Sequence, residues 1–444
     1  MELFVILLVV LFIIIATVKF KLHPVFSLTI AAIASGFLLG LNPVEIMTKM
    51  GEGFGKTLSG IGLVIAFGSV IGIYLEKTKS TKVLTEAVLK VVGLKRSPLA
   101  INLAGFVVSI PVFCDSGFII LSSLNKSLSK KSGFPILFFA IALSTGLYAA
   151  HVFVPPTPGP LAAAALLGAD LGMVLIFGVL VAVPVSLTGY FWARFISGYI
   201  QVSETEEVVR KEDGKKALDT SAPSAFQAFL PLMVPLILIA LKSVADYPTR
   251  PFGEGFFFQL MNFIGNPIVA LLLGVLFAFQ LGRKHPAKEK QEWITEAFKQ
   301  AGLIVLITGA GGAFGAILRT VDIASILDLS ATSGAGGLLI CFGIAAALKT
   351  AQGSSTVAII TTAAIAAPLL VTFGLESVTQ KALAVLAIGA GAMTVSHIND
   401  SYFWVVSQFS NLNVRNALKG HTMATFFQGI VGIVIILLLY KLTQ

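Results

Sequence analysis

Charge is what this sequence has least of. Only 12% of its 444 residues are Asp, Glu, Lys or Arg, where a soluble globular domain carries about a quarter. That scarcity, beside an apolar content of 56%, excludes a soluble globular protein. There are two cysteines, Cys114 and Cys341, far apart and both in apolar stretches, so neither a disulfide framework nor a thiolate metal cluster is indicated. No HExxH and no GxSxG occurs. MGEGFGKT (Met50 to Thr57) has Met where a phosphate loop needs its first glycine, and GAGGAFG (Gly309 to Gly315) has Phe314 where a dinucleotide fingerprint needs glycine. The small residues of the latter suit close helix contact instead, and an enzyme has little to stand on.

A bilayer-crossing helix needs about 20 apolar residues, and apolar segments allow ten crossings. They fall near 3–18, 24–41, 61–75, 134–150 and 171–195, then 226–241, 263–280, 303–318, 383–406 and 423–440. The first follows Glu2 with no basic segment before it, so it reads as a retained span, not a signal peptide. Two further apolar stretches, Leu99 to Leu124 and Gly337 to Thr372, are interrupted by CDSG (Cys114 to Gly117) and QGSST (Gln352 to Thr356). The first is flanked by basic residues on both sides, Lys77 to Arg96 and Lys126 to Lys131. Both flanks favour the cytoplasm, so the stretch should turn back as a re-entrant hairpin. With both stretches as hairpins and external termini, 23 of the 31 Lys and Arg fall on the cytoplasmic side. The net charge of +9 is then a positive-inside bias and calls for no nucleic acid.

Gln201 to Ser224 carries many charges of both signs and reads as a cytoplasmic linker. Across it the chain repeats weakly: GLVIAFGSVIGIYLEKT (Gly62 to Thr78) matches GLIVLITGAGGAFGAILRT (Gly302 to Thr320). Five crossings per unit is odd, so the copies should be inverted, a pattern found in transporters. The expected fold is all-α and polytopic. Residues 1–200 form the first inverted repeat, with a hairpin at 98–125 and a broken helix at 134–167. Residues 225–444 form the second, with a hairpin at 334–372 and a broken helix at 380–410.

Four polar strings break the hydrophobic continuity: PVFCDSGF from Pro111, HVFVPPTPGP from His151, AQGSSTVA from Ala351 and SHINDSYFW from Ser396. Irregular backbone at membrane depth leaves amides and carbonyls unpaired unless it lines a cavity or meets a ligand. Helix N-termini made by such breaks favour an anion. Candidate substrate-binding residues are therefore Asp115, Ser116, Gly117, His151, Thr157, Gln352, Gly353, Ser354, Ser355, Thr356, His397, Asn399 and Ser401. Taken singly, such Ser and Thr residues often only bond back to the preceding turn. The tips would hold a carboxylate, with Thr157, Asn399 and Ser401 reading hydroxyls. Asp115 and Asp400 are acids inside the membrane and thus functional candidates; either could carry a coupling proton. His151 and His397 are proton carriers or neutral hydrogen-bond partners, and Lys349 is a counter-charge or a snorkelling cation. The strings contain no arginine. No cofactor or metal is expected beyond a coupling ion.

At GAGGAFG, AQGSSTVAIITTA (Ala351 to Ala363), SHINDSYFW and HVFVPPTPGP the chain resembles the gluconate permease family, the gluconate:proton symporters, over nearly its whole length. The resemblance implies proton-coupled uptake of small organic anions across the bacterial inner membrane and membership of the ion transporter superfamily, whose better-known members are elevator-type homodimers. The family also includes D-serine and idonate carriers. Its gluconate carriers tend to have a Glu, a small residue and Gly where this chain has Asp115, Ser116 and Gly117, and PPHP where it has Thr157 within PPTP. A shorter acid and a lost imidazole bring a smaller hydroxy acid such as glycerate into view beside gluconate. A passive anion channel remains the rival reading.

Overall fold

A computed structural model describes residues 5–443 apart from 6, 7, 10, 14, 17, 18, 201–222, 247–252, 319, 321–333 and 399. The linker at 201–224 and Asn399 thus lie wholly or largely outside the described residues, as does much of the first apolar run. Among the described residues there is no strand. Seven helices are long and apolar enough to cross a membrane, and two bent pairs bring the total to nine if each is one span.

The helix boundaries follow from local chemistry. Helix α1 spans Pro24–Leu38 and α2 Pro43–Lys77. Pro43 stands where an amide would be orphaned anyway, and the Asn42 side chain caps the end by accepting from the Glu45 amide at 2.9 Å. At 35 residues and 1.5 Å each, α2 is about 52 Å long, far more than the 61–75 core that hydropathy marks; it bends by 43° at residues 60–62. Helix α3 (Ser80–Val92) is followed, past a 107° turn, by α4 (Ser97–Val108). The helix is interrupted at Ser109–Phe113, where the Ser109 hydroxyl donates to the Val112 carbonyl at 3.1 Å, and the chain continues as α5 (Cys114–Ser132). The turn rests on α2 at a glycine: a Cβ on Gly72 would lie 2.3 Å from the Pro111 carbonyl oxygen. CDSG is therefore the first turn of α5, and the interruption is the SIPVF segment before it.

Helix α6 (Ile136–Phe153) breaks at Val154–Thr157 and resumes as α7 (Pro158–Leu167), because the run of prolines withholds amide donors and fixes φ. Helix α8 (Leu171–Ile196) starts under the Asp170 cap, which accepts from the Met173 amide at 2.8 Å. The second half comprises α9 (Ala225–Ala245), α10 (Phe256–Ile264), α11 (Pro267–Leu281) and α12 (Ala287–Leu318). Then come α13 (Ala335–Gln352), α14 (Ser355–Ala366), α15 (Val378–Met393), α16 (Ser401–Phe409), the short α17 (Val414–Ala417) and α18 (Met423–Leu442). Capping boxes open α9 (Ser224 with Gln227) and α15 (Ser377 with Gln380). Gly353, at φ +81°, closes α13 in the left-handed region.

The helices that carry the internal repeat pack against each other. A Cβ on Gly53 of α2 would sit 2.5 Å from the Gly312 carbonyl oxygen of α12, and one on Gly309 would meet the Phe54 ring at 2.4 Å. GAGGAFG is thus a contact surface, and MGEGFGKT lies inside a helix where no phosphate loop can form. The core is α6, with all but its first residue buried. Its neighbours are tied on by polar side chains, the usual glue where lipid supplies no hydrophobic drive. Asn102 of α4 donates to the carbonyls of Ala142 (2.9 Å) and Ser186 (3.3 Å), while Gln428 of α18 donates to those of Thr145 and Val185, both at 3.1 Å.

Candidate functional site

The four interrupted elements converge. The turn before α5 meets the first broken helix, with the Phe113 and His151 rings 5.9 Å apart. The second polar tip meets that same helix through Thr356, whose hydroxyl is 3.4 Å from His151 Nε2. Helix α5 meets α16 edge to face, Phe118 on Tyr402. Helices α5 and α14 thus each lie against a broken element of the opposite half: α14 also packs on α7, where a Cβ on Gly159 would lie 2.9 Å from Ile359.

Between Met393 and Ser401 the second break winds through Val395, a β-branched residue at φ +58°, a backbone region such residues rarely adopt. It ends on Asp400, which caps α16 by accepting from the Tyr402 amide at 3.1 Å. The other Asp400 oxygen receives both the Lys349 ammonium and the Ser396 hydroxyl. Lys349 also donates to the Gly353 carbonyl at 2.8 Å and is 1% exposed, so it does not snorkel. The chain of contacts runs on through His421, whose Nε2 is 3.1 Å from Ser396 Oγ and whose Nδ1 is 3.2 Å from Ser144 Oγ on α6. His421 occupies a π-helical turn, Leu418–Thr422, just ahead of α18, and is fully buried. Such turns recur at functional sites.

Two charges this deep persist only as a hydrogen-bonded pair, and these are so bonded. Several neighbouring polar atoms are not: Asp115 Oδ1, His151 Nδ1 and both amide atoms of Gln352 are buried with no hydrogen-bond partner among the described residues. Gln352 closes α13 beside the tip, and Asp115 lies in the first turn of α5, where the helix N-terminus presents its free amides. A small cavity opens at this place, lined by Gly68 and Ser69 of α2, Pro111 to Phe113, His151, and Pro156 to Pro158. Of the groups named only His151 lines this cavity; open donors and acceptors, helix N-termini and a neutralised ion pair in this neighbourhood suit a small, polar, anionic guest.

The other sequence candidates are placed as follows. Ser354 caps α14, accepting from the Val357 amide at 3.4 Å, and Ser355 is buried in its first turn. Thr157 is buried against the cavity but donates its hydroxyl to the Val154 carbonyl at 2.6 Å. Gly117 is a packing position, where a Cβ would meet Leu147 at 2.7 Å, and Ser116 is half-buried beside it. His397 turns to the Thr350 carbonyl, 2.9 Å from its Nε2, and Ser401 is exposed; neither joins the cluster. His421 escapes sequence reading altogether. The string LKGHT looks like a helix-flanking loop, and the partner that marks it out, Ser144, lies 277 residues away.

Seven or more helices long and apolar enough to cross a membrane, packed about a polar, partly unpaired centre, mark a multi-pass membrane transporter rather than an enzyme. The chain belongs to the GntP family of permeases, whose profile matches residues 1–443. It is 33% identical to a gluconate permease of Pseudomonas aeruginosa over 95% of this chain and 93% of that protein. It is 29% identical to the high-affinity gluconate transporter of Escherichia coli, over 95% of each chain, and 29% identical to the Gnt-II system L-idonate transporter of the same organism, over 94% of each. Among solved structures, Neisseria gonorrhoeae MtrF, of a class of antimetabolite efflux pumps, superposes with a TM-score of 0.64 at 16% identity, over 89% of this chain and 84% of that one. The Alcanivorax borkumensis YdaH transporter gives 0.59 at 15% identity, over 88% and 87%. These two share the fold.

Proposed function

We propose that this permease is a secondary active carrier that brings a small hydroxylated carboxylate, gluconate or a related sugar acid, across the bacterial inner membrane together with a proton. The relatives named for gluconate and L-idonate support the substrate class. The observation that carries the reading is the meeting of four interrupted elements around buried, unpartnered polar atoms and the Lys349 and Asp400 pair.

In this reading the substrate carboxylate lies at the N-termini of α14 and α5, near Ser354 to Thr356 and Ser116 to Gly117, where free amides and the positive end of each helix stabilise an anion. Gln352, Thr356 and His151 read its hydroxyls. Asp400 balances Lys349 and keeps it aimed at the tip. Asp115, with an oxygen free, takes the proton: an anion arriving beside a poorly solvated carboxylate favours that carboxylate's neutral form, so proton and substrate bind together. Movement follows an elevator scheme in a homodimer of two inverted repeats, 1–200 and 225–444, each with its re-entrant hairpin and broken helix, and with both termini outside. The weak repeat, the paired polar breaks and the charge distribution support this arrangement.

Thermal-shift titration of the purified protein with gluconate, glycerate and D-serine at two pH values tests the substrate class. A sugar acid should raise the midpoint, more so at the lower pH; no shift with any hydroxy acid refutes the assignment. Uptake tests the proton site: Asp115→Asn should still bind substrate but lose the pH dependence of transport. Unchanged proton-driven accumulation in that variant removes Asp115 from coupling.

A further inference from the structure

A second cavity, of about 460 Å³, lies between α2, α12, the α7–α8 connection and the end of α9. We propose that it is a vestibule that collects the carboxylate cargo and feeds it to the central site along α2. The proposal rests on the transport reading above and adds a binding place and a route.

Two cations line the cavity, Lys56 and Lys242. Lys242 is held by Asp246 one turn on, whereas the Lys56 ammonium has no acidic partner among the described residues. The acid on the wall, Asp170, spends one oxygen capping α8 and accepting from the Ser243 hydroxyl at 2.5 Å. There is room beside the lysines: a Cβ built on Gly60 or Gly315, both on the wall, would meet no atom within 4 Å.

The large cavity and the small one lie along the same helix, α2, and have no lining residue in common. Gly53, Thr57, Gly60 and Val64 line the large cavity, and Gly68 lines the small one at the broken helix; steps of three and four align the five along α2 on either side of its 43° bend at residues 60–62. One of the facing walls also runs from one cavity to the other. Ala164 and Ala165 of α7 face the large cavity, while Pro156 to Pro158, at the head of the same helix, face the small one. Gly68 marks the narrowing between them, where a Cβ would stand 3.3 Å from the Pro156 carbonyl oxygen. A cationic basin beside this helix raises the local concentration of an anion and guides it inward.

The experiment measures gluconate uptake by proteoliposomes containing the whole chain, unsubstituted or with Lys56→Gln, Lys242→Gln or both. The double variant should raise KM about tenfold at low ionic strength and leave kcat within about twofold, and the gap should close as salt approaches about 0.5 M. An unchanged KM, or a loss of kcat alone, overturns the proposal. A second readout is independent of transport. Gly60→Cys and, separately, Gly315→Cys place a thiol in the cavity while Cys114 and Cys341 stay buried. An anionic methanethiosulfonate should label either thiol faster than a cationic one, lose that advantage in the double Gln background, and be slowed by gluconate; rates indifferent to reagent charge overturn the proposal. An unsubstituted protein that moves no hydroxy acid refutes the transport reading instead, and the labelling rates then still decide whether the cavity gathers anions.

Discussion

Lys349 and Asp400 hold the centre of the molecule as a buried pair, 1% and 5% exposed at their side chains. Removing one partner strands the other as an uncompensated charge, which costs about 3–5 kcal/mol. Thermal unfolding in detergent should therefore show Lys349→Met and Asp400→Leu each strongly destabilised and the double variant restored toward the parent, though inactive in uptake; additive losses would mean the two side chains do not act as a pair. Gly353→Ala forces a Cβ into the left-handed region at φ +81° and should lower stability by about 1–2 kcal/mol, read in the same melts. At this scale the sequence exposes Asp115, Asp400 and Lys349, because an ionisable side chain within an apolar run has few bland explanations. His421 stays hidden, since its partners come from α6 and from the second break. Ser401 and His397 belong to a promising string, yet the helix start at Ser401 turns one outward and the Thr350 carbonyl takes the other.

Helix contact through glycine sets the element scale. α2 and α12 approach so closely at Gly53 and Gly312 that a side chain at either would strike backbone. Gly312→Leu should thus lose about 1–3 kcal/mol or more through overpacking, measured as a lower unfolding midpoint, while Gly315→Ala, with open space at its Cβ, should be tolerated. Equal effects at the two positions would contradict this packing. Broken helices were legible wherever proline enforces them, as at Pro155 to Pro160. The true lengths of α2 and α12 were not. Glu52, Lys56 and the charged start of α12 interrupt the hydropathy signal without interrupting the helix, since such residues extend a helix readily beyond the bilayer. The CDSG string was legible as a break but displaced by a few residues: Pro111 turns the chain, and the polar residues then fill the first helical turn, where orphan amides favour them.

At the scale of the whole molecule, the sparse charge and the ten apolar runs lead to a multi-pass membrane protein, and the ordered strings lead to the permease family. Which elements touch across the halves could not be read from spacing, because the exchange that sets α14 against α7 and α5 against α16 is a matter of tertiary packing alone. That exchange gives one centre instead of two, and the proposed transport requires that this centre be reached from one side at a time. Counterflow in proteoliposomes tests it most directly. Vesicles loaded with unlabelled gluconate and diluted into a trace of labelled gluconate, with no ion gradient, should accumulate label transiently above its equilibrium level as one molecule is exchanged for another. Label that enters only to equilibrium, without an overshoot, would contradict the account and describe an open pore.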